Sequence, residues 1–326
     1  MQITEELTDS CGNPNITFFE SKLDQEMEVP VAKCSTRYFN SQEKCSMKLK
    51  DYVAYWKDSS KRDLYYLKDW HMTKVISVYK TPSFFGSDWL NEYWDELKTD
   101  DYKFVYLGPK GSWTPFHTDV FGSYSWSANV GGYKKWIFFP RSTEPQNVYD
   151  IFEKVPKSDH FDFKLKHHEN FSYFEVIQGP GEVIFVPSGW FHQVENLTDT
   201  LSINHNWCNG TNILIIWENL MLELAKVKAE MSDCFIQNDQ EWRKMCQKLL
   251  FDSYGMNYST FLDLLTLITQ KRLKNRASFD NWTYGANHIV YDLSEAQRVI
   301  EKVIHSSCDD LLPEDLKKAE ALLLKK

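Results

Sequence analysis

From about residue 102 to residue 207 the chain alternates large apolar with small polar side chains, and glycine and proline punctuate the pattern. A two-residue period of this kind reads as half-buried strands joined by turns. Tyr102 to Leu107 is one such run. Ser123-Tyr-Ser-Trp-Ser-Ala-Asn-Val130 alternates in the way expected of a strand that faces a lined cavity. Lys135-Trp-Ile-Phe-Phe139 stops at Pro140, and Tyr173 to Ile177 is followed by the turn Gly179-Pro-Gly181. The run Glu182-Val-Ile-Phe-Val186, expected to be buried, meets Pro187-Ser-Gly189, and Thr200-Leu-Ser-Ile-Asn204 closes the series. Many short strands with Gly/Pro punctuation predict a barrel or jelly roll.

The flanks read differently. Residues 16 to 100 read as mixed, mainly helical structure, with helical spacing of aromatics and Leu over Leu49 to Trp56 and Ser87 to Leu97. Val29-Pro30-Val31 is expected to be extended, because the residue before proline avoids the helical region. After Asn212 the residues Ile213, Trp217, Leu220, Met221, Leu224 and Val227 mark one helical face. Ser294-Glu-Ala-Gln297 has the form of a capping box opening a helix over Ala296 to Ile304, and Leu312-Pro313 is placed to start a last helix. The expected organisation is an N-terminal helical and mixed segment over 1–100, a strand-built core over 101–210 and a helical region over 211–326, an α+β chain. Between Arg141 and Ser172 lies a polar insertion, either a solvated loop or a loop that contacts substrate.

Composition narrows the classes. The 326 residues carry a formal net charge of −9, with 46 acidic against 37 basic side chains. That balance disfavours direct nucleic-acid binding and suits a basic or lysine-bearing protein partner. The seven cysteines are odd in number and show no Cys-x-x-Cys spacing. They predict reduced thiols in a reducing, cytoplasmic setting rather than a disulfide framework or a thiolate zinc site. The first residues have neither the basic nor the apolar region of a secretory signal, and no apolar run is long enough to span a membrane. The sequons Asn15-Ile-Thr17 and Asn196-Leu-Thr198 are therefore expected to be unmodified.

The chemistry-bearing pattern is His117-Thr-Asp119 together with His192. Two imidazoles and one carboxylate cap one face of a metal ion and leave the opposite face open, as in the facial triad of non-haem Fe(II) oxygenases. His-x-Asp alone is weak, since His160-Phe-Asp162 shares the spacing and His167-His-Glu169 nearly does. Context separates them. His117 sits at a strand end, where residues two apart face the same way, whereas His160 and His167 lie in the polar insertion. His192 follows a strand and a tight turn, which places it at a barrel mouth. Alone it reads as a core histidine beside Trp190 and Phe191, and the pairing with His117-x-Asp119 on a barrel turns that reading into a ligand.

An anionic co-substrate needs a cation. Lys134 opens the strand that carries Trp136 and Phe138, and a buried lysine there would require an anion. On spacing alone it is also a surface charge beside Lys135. Thr114 could add a hydroxyl donor. Asn129, Asn204 and Asn206 lie on expected strands, either to hold the co-substrate or to satisfy backbone. No Gly-x-Ser-x-Gly elbow, Walker loop, Gly-x-Gly-x-x-Gly or His-Glu-x-x-His is present, which leaves a zinc hydrolase poorly supported.

Five ordered motifs, Trp113-Thr-Pro-Phe-His-Thr-Asp119, Ser125-Trp-Ser-Ala-Asn-Val130, Lys134-Lys-Trp-Ile-Phe-Phe-Pro140, Phe185-Val-Pro-Ser-Gly-Trp-Phe-His192 and Ile203-Asn-His-Asn-Trp207, resemble the jumonji C (JmjC) oxygenases. The similarity runs from about residue 16 to 230 and more loosely beyond. It implies a cupin-like double-stranded β-helix with Fe(II), 2-oxoglutarate as co-substrate and O2. It implies iron ligation by His117, Asp119 and His192, and a hold on the distal carboxylate of 2-oxoglutarate by Lys134 and Thr114. Asn206 matches a co-substrate-side position, while Asn204 stands where some members have Thr. The resemblance is strongest to a lysyl hydroxylase of the eukaryotic translation release factor, which implies that protein as substrate. Alternatives are an N-methyl-lysine demethylase and a non-catalytic cupin-like binding module. The C-terminal helices are a candidate homodimer surface.

Overall fold

A computed structural model of the chain describes residues 2–37, 41–58, 60, 63–141, 173–233, 238–276, 284–307 and 309–324. By Cα proximity the chain forms two compact units, one of residues 1–86, 102–119 and 124–206, the other of residues 87–101, 120–123 and 207–326.

The first unit contains the alternating runs, now seen as strands. In chain order these are β1 (Gln2–Ile3), β2 (Glu28–Lys33), β3 (Lys44–Lys48), β4 (Tyr65–Trp70), β5 (Tyr79–Lys80), β6 (Lys103–Gly108), β7 (Trp113–His117), β8 (Tyr124–Gly131), β9 (Lys134–Phe139), β10 (Phe174–Gln178), β11 (Val183–Val186), β12 (Phe191–Asn196) and β13 (Thr200–Trp207). Helices α1 (Ile16–Lys22) and α2 (Leu49–Lys57) accompany them. One sheet has four strands in the order β10-β9-β12-β7, and another has seven in the order β11-β8-β13-β6-β4-β2-β3. From β6 to β13 the chain passes back and forth between these sheets, which winds a double-stranded β-helix. Trp136, Phe138, Val186 and Val194 form an apolar cluster drawn from both sheets, with Ile184 and Trp190 against it. Burying such side chains stabilises by roughly 1.5–3 kcal/mol each. Gln178 couples the two sheets. Its Oε1 accepts from Trp136 Nε1 at 2.9 Å, and its Nε2 donates to the carbonyls of Ser127 and Glu182.

Several expectations need correction here. Residues 16–100 hold more strand than helical spacing suggested: β2, β3 and β4 extend the seven-stranded sheet through β6. β3, Lys-Cys-Ser-Met-Lys, is an edge strand with four of its five residues exposed, so it carries no alternating apolar signal. β11 was expected to be buried, yet it is the other edge of that sheet, with Val183 and Phe185 exposed. An apolar run does not distinguish a central strand from an edge one. The polar insertion, apart from Arg141, and with it His160 and His167, lies outside the described residues.

The second unit holds α3 (Trp89–Leu97), α4 (Ile213–Glu230), α5 (Asp239–Tyr254), α6 (Tyr258–Arg276), α7 (Ala286–Ser307) and α8 (Pro313–Leu323). Asp88 and Asn238 cap α3 and α5 through side-chain oxygens that accept backbone N–H bonds. Pro313 opens α8 at its first turn, as expected. The expected capping box at Ser294 is absent. Ser294 lies inside α7, and its hydroxyl donates back to the Tyr291 carbonyl at 2.8 Å. Ile289, Ala296, Val299, Ile300 and Val303 are buried along one continuous stripe, so packing carries the helix through the polar tetrapeptide. Fully buried Arg272 donates to both Glu92 oxygens at 2.8 and 2.7 Å and to Asp292 Oδ2 at 2.6 Å.

Among the described residues, Cys11, Cys34, Cys45, Cys208 and Cys246 are free thiols. No helix among them is long and apolar enough to cross a membrane. Asn196, in the second sequon, is 1% exposed and donates to Ser112 Oγ at 2.8 Å, which leaves no room for a glycan.

Candidate active site

β7 and β12 bring the three expected ligands together. His117 ends β7, His192 is the second residue of β12, and the two are direct partners across the antiparallel pair. Their rings lie 4.3 Å apart between centroids. β7 carries one extra residue between His117 and Thr114, a bulge that contains Pro115. Proline has no ladder donor to lose at such a place. Asp119 follows two residues after the strand's last residue. Ligand atoms of His117, Asp119 and His192 lie within 4.8 Å of one another, as one ion requires.

The surroundings fix how these groups present themselves. His117 Nδ1 is 2.8 Å from the Pro115 carbonyl, and His192 Nδ1 is 3.2 Å from the Trp190 carbonyl. A carbonyl only accepts, so each Nδ1 carries the proton and each Nε2 offers a lone pair. Burial, followed by the facing His192 ring, pushes His117 down to about 4, against the pull of Asp119. It is therefore neutral at physiological pH, the form that binds metal. Ser125 Oγ donates to Asp119 Oδ2 at 2.8 Å and orients that carboxylate. Trp136 stacks on His192 at 5.8 Å. Two imidazoles held through Nδ1 and an oriented carboxylate suit a ferrous ion with one open face.

The triad opens into a cavity of about 470 Å³, mouth included, lined also by Tyr66, Tyr106, Thr114, Lys134, Asn204 and Asn206. Lys134 is 1% exposed, which removes the surface reading. Its Nζ donates to Tyr66 Oη at 3.0 Å, and no carboxylate among the described residues pairs with it. Burial alone pushes its ammonium down to about 7. An enclosed ammonium whose one described partner is a phenol fits a carboxylate ligand, such as the far end of 2-oxoglutarate.

The asparagines divide. Asn204 and Asn206 line the cavity, and Asn204 Oδ1 accepts from Ser127 Oγ at 2.8 Å. Asn129 does not line it. Its Nδ2 donates to the Gly132 carbonyl at 2.6 Å and closes the turn between β8 and β9. Gly132 there has φ +79°, and a Cβ would sit 2.0 Å from the Asp199 carbonyl oxygen, so only glycine fits. The sequence reading missed Tyr66 and Tyr106. Tyr66 comes from a strand within the stretch read as mainly helical, and Tyr106 lies in the expected strand Tyr102 to Leu107 without a motif to mark it. Ser125 was legible within the alternating strand.

Comparison with known proteins agrees with this geometry. The family model "JmjC domain, hydroxylase" matches residues 104–207. The chain belongs to the JmjC family of 2-oxoglutarate- and iron-dependent oxygenases. It is similar to the 2-oxoglutarate and iron-dependent oxygenase JMJD4 of Danio rerio, 39% identical over 324 residues, covering 90% of this chain and 76% of that protein. The Homo sapiens protein of the same name is 40% identical over 301 residues, covering 86% of this chain and 71% of that one. The arginine-specific demethylase JMJ20 of Arabidopsis thaliana is 40% identical over 288 residues, covering 79% and 60%. The chain is an iron- and 2-oxoglutarate-dependent oxygenase.

Proposed function

We propose that this oxygenase hydroxylates a side-chain carbon of a lysine in a protein, with the eukaryotic translation release factor as substrate and the cytoplasm as its place of action. The observation that carries the reading is the meeting of His117, Asp119 and His192 with the buried, carboxylate-free Lys134 in one cavity. Iron, 2-oxoglutarate and O2 together supply the oxidising power that inserts oxygen into a C–H bond, with succinate and CO2 released.

The chain's own residues do the rest. His117 and His192 present Nε2, and Asp119, held by Ser125, completes one face and leaves the other free. Lys134, Tyr66 and Thr114 would anchor the remote carboxylate, so that the reacting end lies at the metal. Trp136, Phe138 and Val194 keep bulk water from that region.

The likeness to a protein named as an arginine demethylase favours a second reading, removal of an N-methyl group by the same cofactors. Mass mapping of release factor after incubation with the iron-loaded protein and 2-oxoglutarate separates the two. An oxygen gained on a lysine supports hydroxylation. Loss of a methyl group, or an unmodified release factor beside a modified alternative, overturns it.

A further inference from the structure

Two tyrosines on neighbouring strands of the larger sheet line the cavity, and their hydroxyls are committed in opposite senses. Tyr66 Oη accepts from Lys134 Nζ at 3.0 Å, which leaves its own proton to donate. Tyr106 Oη donates to Asp69 Oδ1 at 2.7 Å, which leaves its lone pairs to accept. The rings meet edge to face, 5.8 Å between centroids at 78°. The cavity thus has a donor wall and an acceptor wall side by side.

The sense at Tyr106 is enforced. Burial would raise the Asp69 carboxyl, but the charges of Lys68 and Lys44, with hydrogen bonds from Lys44 and Tyr106, outweigh it and hold the group below its ordinary value. An ionised carboxylate has no proton to give, so Tyr106 must be the donor. The backbone is arranged for this contact. Between Leu67 and Trp70, β4 carries one residue more than β6, and Asp69 sits in that bulge at φ +59°. That left-handed backbone is strained for a non-glycine residue. The Lys44–Asp69 pair, with Lys44 59% exposed, does not offset that on its own. Bulges re-aim side chains, and this one aims a carboxylate at a cavity-lining phenol. Asp119 is the one carboxylate that lines the cavity among the described residues, and it faces the metal position.

We propose that Tyr106, fixed as an acceptor by Asp69, is the substrate-selecting wall: it receives the N–H of a cationic alkylammonium side chain, while Tyr66 and Lys134 face the anionic co-substrate. The inference rests on the lysine reading above and adds the residues that recognise the lysine. Asp69 does not line the cavity and is a positioning residue, acting through Tyr106.

The test has two arms, both on the full chain. With iron, 2-oxoglutarate and release factor, Tyr106→Phe and Asp69→Asn each raise the KM for release factor about tenfold, as loss of a hydrogen bond to a charged group does. The KM for 2-oxoglutarate stays within about twofold. With Mn(II) and 2-oxoglutarate bound, n-butylammonium, a mimic of the lysine side chain, is detected by paramagnetic relaxation of its protons. It binds about tenfold more weakly to Tyr106→Phe than to wild type. Equal butylammonium affinity, or a variant that loses 2-oxoglutarate affinity in place of substrate affinity, overturns the proposal. If wild type leaves release factor unmodified but binds butylammonium through Tyr106, the substrate identity fails and the acceptor wall stands.

Discussion

Replacing Lys134 with methionine should make the ligand-free protein more stable while it destroys co-substrate binding. The side chain is 1% exposed, and its described partner is a phenol. The fall of its ammonium from 10.5 to about 7, at ~1.4 kcal/mol per pH unit, costs the fold on the order of 4–5 kcal/mol at and below neutral pH. Methionine fills similar volume without a charge but removes one of the donors to the Tyr66 oxygen, which keeps its bond from Asn196, a loss of about 1–2 kcal/mol. The net expectation is a gain of roughly 2–3 kcal/mol. The sign with pH follows from the depressed folded-state value. Between about 7 and 10.5 the folded protein holds fewer protons than the unfolded chain, so the contribution of Lys134 improves as pH rises through that window. Below about 7 both states are protonated and its cost is constant. Urea unfolding of metal-free wild type and Lys134→Met at pH 6.5 and 9 measures the difference. The variant's advantage should shrink by about 2 kcal/mol at the higher pH, and 2-oxoglutarate should stabilise wild type alone. A variant less stable than wild type at pH 6.5, with a gap that ignores pH, would refute the unpaired-cation argument.

Other substitutions probe separate links. Asp119→Ala or His117→Ala should abolish substrate-coupled succinate formation, and wild-type-like turnover by either purified variant would remove the triad assignment. Ser125→Ala leaves Asp119 Oδ2 without its 2.8 Å donor and should weaken metal binding about 10- to 100-fold, read by competition with a chelator. Arg272→Ala leaves Glu92 and buried Asp292 uncompensated, for a loss of about 3–5 kcal/mol in denaturant unfolding. Gly132→Ala places a methyl group 2.0 Å from the Asp199 carbonyl oxygen and should cost more than ~2 kcal/mol, measured the same way.

The candidate metal triad was legible because strand chemistry is local: His117 and Asp119 are two residues apart, and Gly189 and Pro187 mark the turn before His192. The strands of the core were legible for the same reason. β3 was not, because an exposed edge strand such as Lys44–Lys48 has no apolar face to announce it, and β4 was not, because it is buried on both faces over Tyr66-Leu-Lys68 and so shows no two-residue period. The tyrosine walls were hidden by distance. Tyr66 reaches Lys134 only across the space between the two sheets, β4 lying in one and β9 in the other, and Asp69 reaches Tyr106 only through a bulge that no sequence period marks. Ser294 misled because a tetrapeptide at a helix start and one in mid-helix look alike until the buried stripe on both sides is counted.

One consequence of the β9–β12 register concerns tolerance to change. His192 stands opposite Phe138, and Asn196 stands opposite Lys134, so the metal end and the ammonium end are separated by four rungs of one ladder, roughly 13 Å of strand. That interval is a gauge cut into the backbone. Loops around it can lengthen or drift without altering it. A one-residue slip would turn Lys134 to the opposite side of the sheet and take its ammonium out of the cavity. Under the roles proposed for His192 and Lys134, the span a co-substrate bridges is set by this hydrogen-bond ladder and trimmed by the side chains at either end.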